Sequence, residues 1–157
     1  MTTSADVRRP AASAPSAPSE PGRTAPSRGA ARIALPARPP AVAKARAFVR
    51  ACCQVDGLPR SVSEIAVLLT SEAVTQAIAP GRERVSVTFA ADTSGGGVLV
   101  EVTEPGVHRP RTETLTSAAT AVLDAFAHSW GVRRDGSATT LWFRVVESFP
   151  FPRTSIS

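Results

Sequence analysis

Two polar residues in the run SEAVTQA, Glu72 and Gln76, have the types and the spacing that could carry chemistry. They are four residues apart, so on a helix they lie one turn apart on the same side. Glu72 also follows Ile65 by seven residues, which extends the core-facing stripe of that helix to both. A carboxylate and an amide on a buried face are costly unless they meet a ligand, a metal ion or a hydrogen-bond partner. The alternative is that Glu72 lies at the edge of the stripe and reaches water.

Other candidate side chains are more isolated. Glu104 follows a predicted strand and stands two residues before Gly106, where we expect the chain to turn. Its carboxylate could accept a hydrogen bond from a ligand, or it could be a surface group beside a strand end. His108 and His128 each lack the neighbouring partners that a metal ligand or a catalytic base needs, so we interpret both as structural.

The two adjacent cysteines, Cys52 and Cys53, fall on a predicted helix. Neighbouring helical side chains point about 100° apart, which would strain a disulfide between them. No cluster of Cys and His lies near them in the sequence, so we interpret them as small buried apolar residues rather than as a redox pair or a metal site.

Hydrophobic periodicity predicts the elements that position these residues. Helices are expected from Pro39–Pro40 to about Gln54, from Ser61 to Ala79 and from about Leu115 to Ser129, and strands near 32–37 and at 85–90, 97–103 and 139–146. Ser61 and Glu64 have the spacing of a capping box at the start of the second helix. The order of the elements indicates an α+β fold, a two-layer sandwich of a largely antiparallel sheet with helices on one face.

The ends of the chain differ in composition from its centre. Residues 1–31 are rich in Ala, Pro, Ser and Arg with almost nothing bulky to bury, so we expect a disordered tail. One domain is expected at 32–147, followed by a flexible C-terminal tail at 148–157. No apolar run approaches the ~18 residues of a membrane span, and no secretory signal is recognisable. We therefore expect a cytoplasmic protein with no membrane partner.

The net charge of +5 raises the question of nucleic acid as a partner. Much of this charge lies in residues 1–34, which carry five arginines against two acidic residues. The rest of the chain shows neither a basic helix face nor basic residues interleaved with aromatic ones. A nucleic-acid-binding protein with a basic tail is therefore only a remote alternative.

Residues 32–147 resemble the GHKL ATPase superfamily of gyrase and histidine kinases, which has the Bergerat fold, in the branch of the anti-sigma-factor serine/threonine kinases. SEAVTQA matches the family's helix motif S-E-x-V-T-N-A at all but one position. The segment LPARPPAVAKARAFVR resembles the family's opening strand and helix, and SWGVRRDG followed by TTLWF resembles its end. The order and spacing of these short motifs make the resemblance specific.

The resemblance implies a role for each matching residue. Glu72 falls at the family's general base, which activates the attacking hydroxyl. Gln76 takes the place of the asparagine that ligates Mg²⁺. Its extra methylene moves the amide oxygen by about 1 Å or more, whereas Mg²⁺ requires near-ideal octahedral geometry. Glu104 stands where an aspartate binds the adenine amino group, and Gly106 stands at the following glycine turn.

The phosphate-binding motif departs most from the family. Ser117, Ala118 and Ala119 replace its glycine-rich turn, where bare backbone N–H groups approach the phosphates. The resemblance implies ATP and Mg²⁺ as cofactors, while these departures predict weakened or lost binding of both.

Two hypotheses follow from the resemblance. The first is a pseudoenzyme: an anti-sigma-factor-like regulator that acts by binding a protein, either a sigma factor or the STAS-domain antagonist of an anti-sigma factor. The second is an active serine/threonine kinase that phosphorylates such a STAS-type antagonist. A homodimer is compatible with both, and nucleotide binding separates them.

Overall fold

The computed structural model describes residues 5–8, 29–78, 82–92, 96–105 and 115–147, and of residues 5–8 the backbone only. In chain order the elements are β1 (Ala5–Arg8), β2 (Ala31–Pro36), α1 (Pro40–Val55), α2 (Arg60–Ala77), β3 (Arg84–Asp92), β4 (Gly97–Glu104), α3 (Ser117–Phe126), β5 (Ser129–Asp135) and β6 (Ala138–Val145). No helix in these ranges is long and apolar enough to cross a membrane. Gly106, His108 and the predicted tail at 148–157 lie outside the described residues.

The strands form one six-stranded sheet in the order β1-β5-β6-β4-β3-β2. Every neighbouring pair is antiparallel. Two of the pairs are hairpins between consecutive strands, β3 with β4 and β5 with β6, and Gly136 has a positive φ of 60° in the tight turn of the second. The structure confirms the predicted α+β fold with its antiparallel sheet.

The core lies between the helices and one face of the sheet. Strand residues of alternating positions point into it, as the sequence pattern predicted. Val87, Val100 and Phe143 are examples, each with no measurable exposure. From the helices, small residues such as Ala45 of α1 and Ala66 of α2 are fully buried against this layer.

The opposite face, which we call the outer face, carries the other set of strand side chains. Trp142 is one of them and is only 1% exposed, yet it is not part of the core under the helices. Its ring occupies space left by Gly131, since a Cβ on that glycine would lie 2.9 Å from Trp142 Cζ2. Beside it, Arg133 Nη2 donates to Glu101 Oε2 at 3.2 Å. Among the described residues, the outer face therefore carries the Arg133–Glu101 ion pair and the large aromatic side chain of Trp142.

The elements of the structure differ from the predicted ones in three places. The third helix ends at Phe126 rather than near Ser129, because Ala127 is extended (φ −85°, ψ 143°) and the chain then enters β5. β5 was not predicted, because a glycine and three charged residues in its sequence SWGVRRD obscure the alternation of apolar and polar residues. Residues 5–8, in the segment predicted to be disordered, form β1, because β5 would otherwise leave an unpaired strand edge that a short extended segment can satisfy.

The start of α2 also differs from the prediction. The cap residue is Pro59, and no side chain caps the helix, so Ser61 and Glu64 do not form a capping box. Glu64 instead accepts a hydrogen bond from Arg60 Nε at 2.6 Å, one turn earlier. The ion pair with Arg60 therefore competes with the capping interaction for the Glu64 carboxylate.

The two cysteines are both free, and Cys53 is buried in the core. Burial is the main cause that raises the pKa of each thiol. A raised thiol pKa suppresses the reactive thiolate. This agrees with the interpretation of both as apolar packing residues.

Candidate nucleotide site

Helix α2 positions Glu72 and Gln76 near its C-terminal end. Its buried residues face the core, including Ala73 and Ala77, which each follow one of the polar pair. Glu72 and Gln76 are half-buried, so they lie at the edge of the buried stripe rather than within it. Within the described part of the chain, no hydrogen bond or ion pair joins the Glu72 carboxylate to another side chain.

Gln76 reaches the start of α3. Its Nε2 donates to Thr116 Oγ1 at 3.4 Å, and its Oε1 accepts from the Thr116 backbone N–H at 3.4 Å. Both distances are longer than the 2.9–3.0 Å typical of N–H···O hydrogen bonds, and both bonds are exposed to solvent. Gln76 therefore contacts the residue that precedes Ser117–Ala119, the segment that the resemblance identifies with the phosphate-binding motif.

Thr116 is the N-cap residue of α3. Its Oγ1 accepts a hydrogen bond from the Ala119 backbone N–H at 3.1 Å, which satisfies one of the free N–H groups of the first turn. Ser117, the first residue of the helix, is exposed, and Ala119 is buried. The sequence analysis missed Thr116, although threonine directly before a helical run is a common capping signal.

Glu104, the last residue of β4, is 6% exposed. The Nη1 of Arg82, just before β3, donates to its Oε1, and the two side chains are only 15% and 8% exposed. A buried guanidinium–carboxylate contact is charge-assisted and therefore stronger than a neutral hydrogen bond. Arg82 was not predicted as a site residue, because it lies in the irregular segment between α2 and β3, where no periodic pattern indicates a partner.

These contacts allow a test of whether the residues fit Mg²⁺ and ATP. The Gln76 oxygen that would bind the metal accepts from Thr116, and the Ala119 N–H that would meet a phosphate is used by the helix cap. The Glu104 carboxylate that would bind the adenine amino group is paired with Arg82. In this arrangement, three of the groups that the resemblance assigns to Mg-ATP make contacts within the chain instead.

The remaining histidine of the described residues, His128, lies outside this site. It is exposed, and its backbone N–H donates to the Arg144 carbonyl at 2.8 Å beside the β5–β6 ladder.

Comparisons with known proteins identify the fold and the family. Residues 35–137 match the family of the histidine kinase-like ATPase domain. The chain is similar to the crystal structure of the RsbU and RsbW domains of Rv1364c from Mycobacterium tuberculosis, with a TM-score of 0.60 and 20% identity. That match covers 81% of this chain and 35% of the other, so this chain spans about a third of its length, and at this identity the likeness is one of fold. A search of curated protein sequences found no match. The match over residues 35–137 covers well over half of the sequence, and the chain belongs to the histidine kinase-like ATPase domain family.

Proposed function

We propose that this protein is a cytoplasmic regulator of the anti-sigma-factor kinase type, which acts by binding another protein and has weakened or lost ATP binding. The motif SEAVTQA and the fold similarity to a chain that contains an RsbW domain support the branch. The observation that carries the loss of ATP binding is the pairing of Gln76, Glu104 and the Ala119 N–H with partners from the same chain.

The expected loss of ATP affinity can be estimated from the Arg82–Glu104 contact. Loss of a hydrogen bond to a charged group costs about 1.5–3 kcal/mol. A micromolar nucleotide affinity corresponds to about 8 kcal/mol. A nucleotide that had to displace Arg82 from Glu104 would lose a large part of that affinity, since every ~1.4 kcal/mol is tenfold in Kd.

The proposed partner is a sigma factor or a STAS-domain antagonist, bound without the need for nucleotide. Both assignments come from the family resemblance, and a homodimer is compatible with either.

One observation favours the alternative, an active serine/threonine kinase. The Glu72 carboxylate is half-buried and is not engaged by any hydrogen bond or ion pair among the described residues. A general base needs to be available in this way. If the internal contacts around Gln76 and Glu104 open when substrate binds, Glu72 is in place to accept a proton.

Calorimetric titration with Mg-ATP separates the two hypotheses. The regulator is expected to show no binding tighter than about 100 µM. It is also expected to co-elute with a purified sigma factor or STAS-domain protein equally in Mg-ATP and in EDTA. Micromolar binding of Mg-ATP, together with phosphate transfer to a STAS-domain serine that disappears in Glu72→Gln, would overturn the proposal and establish the kinase.

A further inference from the structure

Two exposed apolar side chains lie on neighbouring helices. Among the described residues, three large hydrophobic side chains are exposed: Val55 (84%), Leu68 (39%) and Phe126 (47%). Val55 is the last residue of α1, and a single surface hydrophobic residue of this kind is common. Leu68 belongs to α2 and Phe126 to α3, and these two helices pack against each other. Whether Leu68 and Phe126 share one surface depends on how the two helices are oriented.

The direction of α3 places the two residues at the same level. Thr116, the N-cap of α3, contacts Gln76 in the last turn of α2. Since α3 begins beside the end of α2 and packs against it, α3 runs back along α2. Leu68 precedes Gln76 by eight residues, or about 12 Å. Phe126 follows Thr116 by ten residues, or about 15 Å. Both side chains therefore lie at about the same distance from the Gln76–Thr116 contact.

On α2, Leu68 lies on the side that faces α3. One stripe along this helix, with steps of three or four residues, carries Ile65, Leu68, Glu72 and Gln76. Because Gln76 contacts Thr116, this stripe is on the α3 side of α2. Ile65 is partly buried against the core, whereas Leu68 is exposed. The stripe therefore presents apolar surface towards α3 at the level of Leu68.

On α3, Phe126 lies on the side that faces α2. Asp124 Oδ1 accepts a hydrogen bond from Trp130 Nε1 at 2.9 Å, so the Asp124 side of α3 faces β5. Val122 and Phe126 are each two residues from Asp124, and residues two apart on a helix point about 160° away from each other. Their side of α3 therefore faces away from β5 and towards α2. We call the surface between the two helices the α2–α3 groove, and its apolar walls are Ile65, Leu68, Val122 and Phe126.

The charge of the α2–α3 groove indicates the chemistry of its occupant. Glu72 is half-buried one turn from Leu68, and no hydrogen bond or ion pair joins its carboxylate to another described side chain. Arg60 is the only basic residue of α2 and α3, and it pairs with Glu64. A carboxylate beside exposed apolar side chains is complementary to a lysine or arginine beside an apolar face. Apolar grooves commonly bind amphipathic helices, whose apolar residues recur every three or four positions.

We propose that the α2–α3 groove binds an amphipathic helix of a partner protein, with apolar side chains against Leu68 and Phe126 and a lysine or arginine against Glu72. This inference rests on the proposed function, since it names the surface by which the regulator binds another protein. It adds the chemistry that the partner segment must have, an apolar stripe flanked by positive charge.

The test uses the full chain, labelled for NMR, and a synthetic amphipathic helical peptide with leucines on one face and a lysine beside them. The methyl resonances of Leu68 and the ring resonances of Phe126 should shift on titration. The variant L68S/F126S should weaken the affinity at least about tenfold. Val55→Ser is the matched control, because it removes an exposed apolar side chain outside the groove and should leave the affinity unchanged.

The charge is tested with a second peptide that has glutamate in place of the lysine. It should bind the unmodified protein more weakly than the lysine peptide, and Glu72→Gln should abolish this difference. This variant also keeps the proposal testable if L68S/F126S does not fold. A preference for lysine that persists in Glu72→Gln would overturn the proposal, and so would equal weakening by Val55→Ser and L68S/F126S.

Co-elution with a purified sigma factor or STAS-domain protein separates this inference from the proposed function. Co-elution that L68S/F126S abolishes and Val55→Ser retains supports the groove. Co-elution that L68S/F126S retains would overturn the groove and leave the proposed function standing. If the unmodified protein co-elutes with neither, the proposed function fails, while peptide binding that L68S/F126S weakens would still support the groove. A dimer in sedimentation that L68S/F126S dissociates would identify a second copy of the chain as the occupant and overturn the proposal.

Discussion

The candidate nucleotide site has two parts. We call the residues assigned to the phosphates the phosphate part and those assigned to the adenine base the base part, and contacts within the chain occupy the two in different ways. At the phosphate part, Gln76, Thr116 and the Ala119 N–H share neutral hydrogen bonds, two of them long and exposed. At the base part, Arg82 and Glu104 form a charged and largely buried contact. Exposed neutral contacts exchange with water at little cost, whereas a buried charge cannot lose its partner cheaply. Under the proposed function, we therefore expect the base part to be the larger obstacle to ATP.

Arg82→Ala should give the largest effect on stability. It removes one charge-assisted contact from the buried Glu104 carboxylate, so the free energy of unfolding should fall by about 2 kcal/mol in urea denaturation. Arg60→Ala is the matched control, because Arg60 also pairs with a glutamate but is 90% exposed. It should change stability by less than about 0.5 kcal/mol. Equal losses in the two variants would show that the Arg82 contact is no firmer than a surface pair.

The same substitution should improve base recognition. If Glu104 binds the adenine amino group, removal of Arg82 takes away one competitor for its carboxylate, so adenosine should bind up to about tenfold more tightly. NMR titration of the full chain with adenosine measures this change. Thr116→Ala, which alters only the phosphate part, should leave adenosine affinity unchanged. A gain in both variants would contradict the assignment of Glu104 to the base part.

Thr116→Ala should have a moderate effect. It removes the acceptor for the Ala119 N–H, and loss of an N-cap side chain costs about 1 kcal/mol. Thr116→Ser keeps the hydroxyl and should preserve stability in thermal unfolding. If the serine variant loses as much as the alanine variant, the threonine methyl group rather than the cap carries the effect.

Gln76→Ala should have the smallest effect. Its two hydrogen bonds are 3.4 Å long and exposed, so the loss in unfolding free energy should stay below about 0.5 kcal/mol. A double-mutant cycle with Thr116→Ala measures the coupling directly. A coupling above 1.5 kcal/mol would show that the phosphate part is closed as firmly as the base part.

The sequence predicted the helix-facing half of the molecule well. Alternation in residues 85–90 and 97–103 identified the strands of one hairpin, and the apolar stripes identified α1 and α2. These signals are strong because the same residues that set the period are the ones that are buried.

The missed features depend on partners that are distant in the sequence. Arg82 pairs with Glu104 over 22 residues, and Gln76 meets Thr116 over 40. β5 was not predicted, because Arg133 and Arg134 obscure its alternation of apolar and polar residues. In the structure Arg133 forms an ion pair with Glu101 of β4, which the sequence of β5 alone does not indicate. Neither a short motif nor a period contains such information. The predicted capping box was wrong for a different reason. Two local interactions were available to Glu64, and the sequence does not show which of them is more stable.

The close approach of Gly131 to the Trp142 ring couples the two positions in evolution. Because a Cβ at position 131 would lie 2.9 Å from the ring, even alanine there requires the ring to move. Descendants of this sequence are therefore expected to keep glycine for as long as they keep tryptophan, and to admit a side chain at 131 only together with a smaller residue at 142. The order of substitutions is also constrained, because enlarging position 131 while tryptophan remains at 142 requires the buried ring to shift.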